Sequence, residues 1–517
     1  MKMSISKITD TSQNNDQLYS SLSQNLKIIK NTLGNSNDLV IREVTIGKAE
    51  QFTLAIIYVD GLSDKVTISN AVIDKLKLDI EASDETEIDK IIRYLRDSCL
   101  TVGDVNDIFN FSTLYNSILN GDTVILLDES STGIVTSTKG AKDRAVMEPS
   151  TESVIRGPRE AFTETLRTNT ALIRRKIKSP NLWIKSRIVG EVTKTDVAVM
   201  YLNDIANDKI VAEVLSRLDR INIDGILESG YIEDFIQDSK TTIFPTVYNS
   251  ERPDVIAGEI LDGKIAILVD GSPFVLVVPA LFTSFLQSAE DYYQHWMISS
   301  LVRLLRFFGI GLALVAPSLY VAITTFHQEM LPTPMLISIA SQREGVPFPA
   351  VVEALIMEVA FEVLREAGLR MPRTIGPAVS IVGTLVIGQA AVEAGVVSAV
   401  MVIIVALTAI CSFLFPAYGL SNTVRALRFP LMILAAIVGL YGVMFGLMII
   451  LLHLCSLRTF GVPYLSPFGP LIVDDQKDAL VLFPRRALLT RPRLISQKNT
   501  VRGHKYFNTK KRNQKNV

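Results

Sequence analysis

Apolar and polar residues are unevenly spread along the chain. Up to about residue 306, Lys, Arg, Asp and Glu interrupt short apolar runs; beyond it the runs lengthen and charge thins out until the C-terminal tail. Residues 307–326 are twenty consecutive positions without a charge, enough for a helix to cross the hydrocarbon core of a bilayer. Between Arg373 and Arg425 the single charged residue is Glu393, and that stretch has the length of two spans, about 378–399 and 400–418. Residues 429–457 are again uncharged and long enough to cross with tilt. The segment 348–364 is apolar but carries Glu353, Glu358 and Glu362, and reads as a span or as a buried interfacial helix. The pattern predicts an α-helical transmembrane bundle of about four to six helices. The clusters Arg303/Arg306, Arg365/Arg370/Arg373 and Arg425/Arg428 all fall on one side if each span crosses once and the preceding part is cytoplasmic. A fifth crossing puts the basic tail on the opposite side, so either 461–483 dips back into the membrane or one helix is miscounted.

Ahead of the bundle the pattern is that of an α/β soluble head. Leu54-Ala-Ile-Ile-Tyr-Val-Asp60 reads as a buried strand leading into a turn and a helix, and Val197-Ala-Val-Met-Tyr-Leu-Asn203 repeats it 143 residues later. Val124-Ile-Leu-Leu-Asp128-Glu-Ser130 and Ala266-Ile-Leu-Val-Asp270-Gly-Ser272 form a second pair, offset by 142. Two pairs at nearly one offset predict a duplicated subdomain. The expected organisation is a disordered leader (1–36), two similar cytoplasmic subdomains (37–148 and 149–300), a transmembrane helical domain (301–484) and a basic tail (485–517). Asp60, Asp128, Asn203 and Asp270 sit at strand exits, where α/β sheets often bind ligands; the plainer reading is that they form turns.

Charge and composition sharpen this division. The tail from Arg485 onward carries eleven Lys/Arg and no Asp or Glu, so a net charge of −1 conceals −12 in the rest of the chain. Three cysteines cannot build a disulfide framework, which fits a reduced compartment. There is no P-loop, dinucleotide fingerprint or Cys/His metal cluster. The four histidines are scattered, and Arg174-Arg-Lys-Ile-Lys178 reads as a solvated helix face rather than a nucleic-acid patch. No catalytic, metal or cofactor site is expected. Ionisable groups inside a membrane face the bundle interior or water, so Glu393 is the informative position. On one continuous helix, Gln389, Glu393, Val396 or Val397, and Val400 share a face, with glycines and alanines beside them. That suits a ring of helices whose Gln/Glu positions attract cations and whose valines form a dry constriction; the alternative is that Glu393 pairs with a neighbouring helix and only fixes packing. Glu358, Glu362 and Glu366 form a second polar stripe at spacings of four, suited to a vestibule or to the wet face of an interfacial helix.

Six strings give the sequence a family likeness: Ser179-Pro-Asn-Leu-Trp183, Leu331-Pro-Thr-Pro-Met335, Arg343-Glu-Gly-Val-Pro-Phe-Pro349, Glu362-Val-Leu-Arg-Glu-Ala-Gly368, Val386-Ile-Gly-Gln-Ala-Ala-Val-Glu-Ala-Gly395 and Phe460-Gly-Val-Pro-Tyr-Leu-Ser-Pro467. With them the chain resembles the A subunit of the bacterial spore germinant receptors, from about Asp38 to Pro470. The resemblance implies a multi-pass protein of the spore inner membrane with a cytoplasmic two-part head. It implies partners, a transporter-like B subunit and a lipoprotein C subunit, with which it senses small nutrients. It further implies a homo-oligomer forming a nutrient-gated cation channel, with the Gln389–Val400 stripe in its pore helix. A scaffold that relays the signal without a pore of its own is the competing expectation. No membrane repeat or pair of broken helices marks a secondary transporter. The basic tail lies outside the resemblance and is suited to anionic lipid head groups.

Overall fold

A computed structural model describes residues 16–46, 52–73, 104–140, 148–149, 151–152, 154–370 and 388–503. The chain divides into two compact units. The head comprises Met1–Gln237, Asn249–Pro279 and Arg491–Arg502; the helical unit comprises Asp238–Tyr248, Ala280–Thr490 and Gly503–Val517.

The head is built twice from one plan. Its first half runs α1 (Leu22–Thr32), β1 (Leu39–Ile46), β2 (Phe52–Val59), β3 (Val105–Ile108), α2 (Phe111–Leu119), β4 (Thr123–Leu127) and β5 (Gly133–Thr136). Its second half runs α3 (Leu166–Lys176), β6 (Leu182–Val189), β7 (Thr195–Leu202), α4 (Asp208–Asp219), α5 (Ser229–Ile236), β8 (Tyr248–Ser250), α6 (Pro253–Leu261), β9 (Ile265–Val269) and β10 (Val275–Val278). The two five-stranded sheets have the orders β1-β2-β4-β5-β3 and β6-β7-β9-β10-β8, which are the same order with every number raised by five. The ladders β1–β2, β2–β4, β4–β5 and β3–β5 are antiparallel, as are β6–β7, β7–β9 and β9–β10. Helices do alternate with strands as expected, but the pairing is that of an α+β fold, so the ligand crevice of parallel sheets does not carry over to it.

The central strands of the first half are apolar without a break over Leu54–Val59 and Val124–Leu127 because both faces are covered. Ala55, Ile57 and Val59 point into a core with Leu22, Leu26, Ile29, Leu114 and Ile118 from α1 and α2. Leu54, Ile56 and Tyr58, the alternate positions, pack with Ile68 and Val72 on the other face. The halves meet through the turn after α1. Arg174 Nε and Nη2 donate to the Asp38 carboxylate at 2.5 and 2.9 Å, with both side chains buried. Trp183 Nε1 donates to Thr32 O, and Lys185 Nζ to Gly34 O.

In the helical unit the main elements are α7 (Trp296–Thr325), α8 (Thr333–Arg343), α9 (Ala350–Arg370), α10 (Ala399–Ser412), α11 (Tyr418–Val438) and α12 (Leu440–Ser456). Among the described residues two helices, α7 and α11, are long and apolar enough to cross a membrane. The 30 residues of α7 extend about 45 Å, beyond the ~30 Å of hydrocarbon. α10 and α12 are apolar but shorter, at 14 and 17 residues, and α9 carries too many carboxylates. Part of the expected span at 378–399 lies outside the described residues. The uncharged stretch 429–457 is not one helix, contrary to expectation. Gly439 breaks it at φ +68°, where a Cβ would lie 2.7 Å from His327 Cε1. α12 then folds back on α11: a Cβ on Gly442 would be 2.2 Å from Leu434 O, and one on Gly446 2.4 Å from Leu431 Cδ2. Glycines at spacing four let the two backbones meet this closely.

Candidate functional site

The helical unit carries its chemistry on a seam of ion pairs between α9 and α11. Glu358 and Glu362 are four apart on α9, and Arg428 and Arg425 are three apart on α11, so each pair lies along one helix face. Arg428 Nη1 donates to Glu358 Oε2 at 2.5 Å, with both side chains 1% exposed. One turn away, Arg425 Nη1 donates to Glu362 Oε2 at 2.7 Å. Arg365 also lies 3.9 Å from Glu362. Burying such charges is costly unless each meets its counterpart, and here the counterparts sit on facing helices.

Arg428 has a second task. Pro317 interrupts α7 and has no N–H, so the carbonyl four residues back, Ala313, loses its helical donor. Arg428 Nε donates to that oxygen at 2.8 Å, and its Nη1 lies 3.4 Å from Thr408 Oγ1 on α10. One guanidinium therefore joins α7, α9 and α10 to its own helix. A second fully buried carboxylate, Glu353, accepts from the Ser398 backbone N–H at 2.7 Å and from the Ser398 hydroxyl. Ser398 also caps α10, bonding Met401 N. Arg343 Nε stands 3.7 Å from the same carboxylate.

This arrangement alters several expectations. Arg425 and Arg428, read as a basic flank beyond a span, lie inside α11 and are spent on glutamates. Arg303 and Arg306, read as another flank, bind Asp291, and Arg303 also reaches Asp478 at 3.0 Å. Glu358, Glu362 and Glu366 do not act as one stripe: the first two face α11, while Glu366 is exposed and pairs with Arg370 on its own helix. The single helix meant to carry Gln389, Glu393, Val396, Val397 and Val400 is interrupted. Residues 388–393 are helical, Gly395 adopts φ +66°, and a new helix starts after Ser398. Gln389 and Glu393 are exposed on the first piece, joined by a 3.0 Å hydrogen bond. Val396 and Val397 lie in the turn, Val397 buried, and Val400 lies in the first turn of α10. The glycine that marks this break was visible in the sequence, as were the two arginines whose spacing matches Glu358 and Glu362.

In the head the strand-exit residues serve the fold. Asp128 accepts from Leu22 N at 2.8 Å and Asp270 from Leu166 N at 2.9 Å, each holding the first residue of its half's opening helix. Asp60 is tied to Lys65 and Arg167, and Asn203 N donates to Asn181 O. Sequence reading missed Asn25 and Asn169, buried residues 144 apart that make the same two bonds. Asn25 Oδ1 accepts from Tyr19 N and Nδ2 donates to Tyr19 O; Asn169 does the same with Thr163. A groove of about 540 Å³ lies along α1, lined in part by Lys27, Lys30, Glu43, Thr53 and Asp128. Burial pushes Glu152 and Glu233 each up to about 7. No group of His, Cys, Asp and Glu among the described residues is arranged to hold a metal ion.

A twice-built head joined to a bundle of apolar helices cross-tied by arginine–glutamate pairs, one of them fully buried, defines a membrane-associated protein with a large polar domain. The sequence profile described as Bacillus/Clostridium GerA spore germination protein matches residues 27–494, and the chain belongs to this family. Spore germination protein KA of Bacillus subtilis (strain 168) is 50% identical over 482 residues, covering 93% of this chain and 88% of that one. The Uncharacterized membrane protein YfkQ of the same organism is 42% identical over 499 residues, 96% of each chain. The crystal structure of the N-terminal domain of the A subunit of the Bacillus megaterium spore germinant receptor GerK3 is 40% identical. It covers 52% of this chain and 99% of that one, with a TM-score of 0.42.

Proposed function

We propose that the chain is the A-type subunit of a nutrient germinant receptor in the spore inner membrane, spanning it several times with the head in the cytoplasm. It acts with a transporter-like B subunit and a lipoprotein C subunit, and several copies assemble around a nutrient-gated cation path. The observation that carries this reading is the contrast among its membrane-side glutamates. Glu353, Glu358 and Glu362 are engaged by neighbouring helices, whereas Glu393 is exposed and bonded to Gln389 on its own helical turn. A carboxylate left facing outward among apolar helices is costly in lipid and useful beside water. In the assembled ring Gln389 and Glu393 line the path, and the Val396–Val397 turn with Val400 supplies its apolar neighbour.

The test is ion flux, in cells making the receptor, with Glu393→Gln, Val396→Ala and Val397→Ala. Reduced cation flux for the first and increased leak for either valine variant support the pore. Unchanged flux in all three, with assembly intact, removes the pore and leaves a scaffold that relays the nutrient signal.

A further inference from the structure

The two halves of the head differ in how one end of the sheet is closed. In the first half, the turns after β2 and before β4 lie at that end, and the chain leaving β5 runs back across them. Gly140 N donates to Leu62 O at 3.2 Å, and Asp64 N to Thr138 O at 2.8 Å. In the second half the corresponding chain, 142 residues on, is residues 280–282, which belong to the helical unit and do not return. The place is taken by a segment from far down the chain. Ser496 Oγ lies 3.4 Å from Ile205 O, the counterpart of Leu62 O at an offset of 143 and 291 residues away along the chain from Ser496. Ile495 and Ser496 are fully buried.

The rest of the segment fits the same end of the sheet. Arg491 Nε donates to Leu261 O at 2.9 Å, while its Nη1 holds the segment's own Asn499 and Val501 carbonyls. Lys498 Nζ donates to Asn203 O at 3.0 Å and to Asp208 Oδ1 at 2.6 Å. Arg502 pairs with Asp262. Gly263, at φ +92°, has its Cβ position only 3.1 Å from Ser496 Cβ, so a side chain there would push the segment off. Three of the tail's basic residues are thus engaged by protein groups.

We infer that Arg491–Arg502 is the closing piece of the second half-domain, and that the helical unit is an insertion within that half-domain, leaving it after Pro279 and rejoining it at Arg491. Resting on the membrane-spanning reading above, it follows that the chain crosses the membrane an even number of times before Arg491 and that Arg491–Arg502 lies on the side of the head. The five-crossing count is excluded, because it separates Ile495 from the core it fills. The segment is also a second covalent link by which displacement of the helices reaches the β7 and β9 turns directly.

Two measurements on the full-length chain in membranes, with its three native cysteines replaced by serine, test the inference. Asp208→Cys with Lys498→Cys, both at solvent-facing positions, is joined within the chain by a short bifunctional thiol cross-linker, seen as faster migration on a denaturing gel. Asp128→Cys with Lys498→Cys is not joined. Absence of the first link, or equal formation of the second, overturns the docking. Ser23→Cys and Gln497→Cys, separately, react with a membrane-impermeant maleimide from the same side of oriented vesicles; labelling from opposite sides overturns the insertion. Neither measurement involves ion flux, so a failed pore leaves both results standing.

Discussion

The prediction that bears most directly on the helical unit concerns Arg428. Arg428→Met removes a guanidinium that is 1% exposed, leaves Glu358 buried without its counter-charge, and returns the Ala313 carbonyl to its orphaned state beside Pro317. Breaking a buried pair from one side costs about 3–5 kcal/mol, and the lost bond to a buried carbonyl adds about 1–3 kcal/mol. For a unit of roughly 200–250 residues, where 1 kcal/mol moves Tm by about 2–4 °C, the first cost alone corresponds to a fall on the order of 10 °C. Glu358→Met should be similarly damaging, because it strands Arg428. The double variant Arg428→Met/Glu358→Met should recover most of the ion-pair cost and keep only the carbonyl's. Arg428→Lys keeps charge but has no fork with which to reach Glu358 and Ala313 together, so it should fall between wild type and methionine. Thermal unfolding of detergent-solubilised full-length protein, followed by aggregation or intrinsic fluorescence, measures all four. Equal and additive losses from the two single substitutions, with no recovery in the double, would refute the pairing. A loss below about 1 kcal/mol for Arg428→Met would refute its role as the node of the bundle.

Three other expectations concern the fold. Glu152, raised from its ordinary 4.5 to about 7 by burial, binds its proton more tightly in the folded head than in the unfolded chain. Its contribution to stability is therefore full below about pH 4.5 and is lost as pH rises through 7, a change of about 3 kcal/mol. Chemical denaturation of the full chain from pH 5 to 8 should show that fall. It should flatten in part with Glu152→Gln and further with Glu233→Gln added; an unchanged slope in the double variant refutes the assignment. Gly439→Val forces a branched residue into positive φ against His327. It should cost more than about 2 kcal/mol, with Gly439→Asn milder, and equal Tm values for the two would show that the α11–α12 break is not held by its backbone angle. Asn25→Ala and Asn169→Ala each leave a part-buried backbone N–H and C=O without their partner and should each cost about 1–2 kcal/mol. The costs should be alike if the halves are equivalent, and urea titration of the full chain gives both.

Periodicity and repetition made the head legible. The paired strings at 142 and 143 residues fall on β2/β7 and β4/β9, and the sheets share one order. Strand direction was not legible. β2 and β4 are apolar at successive positions because helices cover one face and the Ile68–Val72 stretch the other, and such a run looks the same in a parallel or an antiparallel sheet. Asn25 and Asn169 escaped notice because one polar residue in an amphipathic helix carries no periodic signal; only the repeat, aligned helix to helix, marks them.

The helical unit was legible in outline and misread in its charges, for one physical reason. A hydropathy reading treats each charge as a boundary between apolar runs, which holds when the charge is solvated. Arg425 and Arg428 are instead solvated by protein, through Glu362, Glu358 and the carbonyl that Pro317 exposes. The helix therefore does not begin at residue 429: α11 starts at Tyr418 and ends at Val438, before Gly439, where the apolar run itself continues into α12. The glutamates fall into two kinds on the same ground. One whose spacing matches arginines elsewhere belongs to the bundle's interior bonding. Glu393, alone between Arg373 and Arg425, has no such match in the sequence and, among the described residues, bonds its own-helix neighbour Gln389. Its being single, rather than its being acidic, is what makes that turn the place to test the proposed ion path.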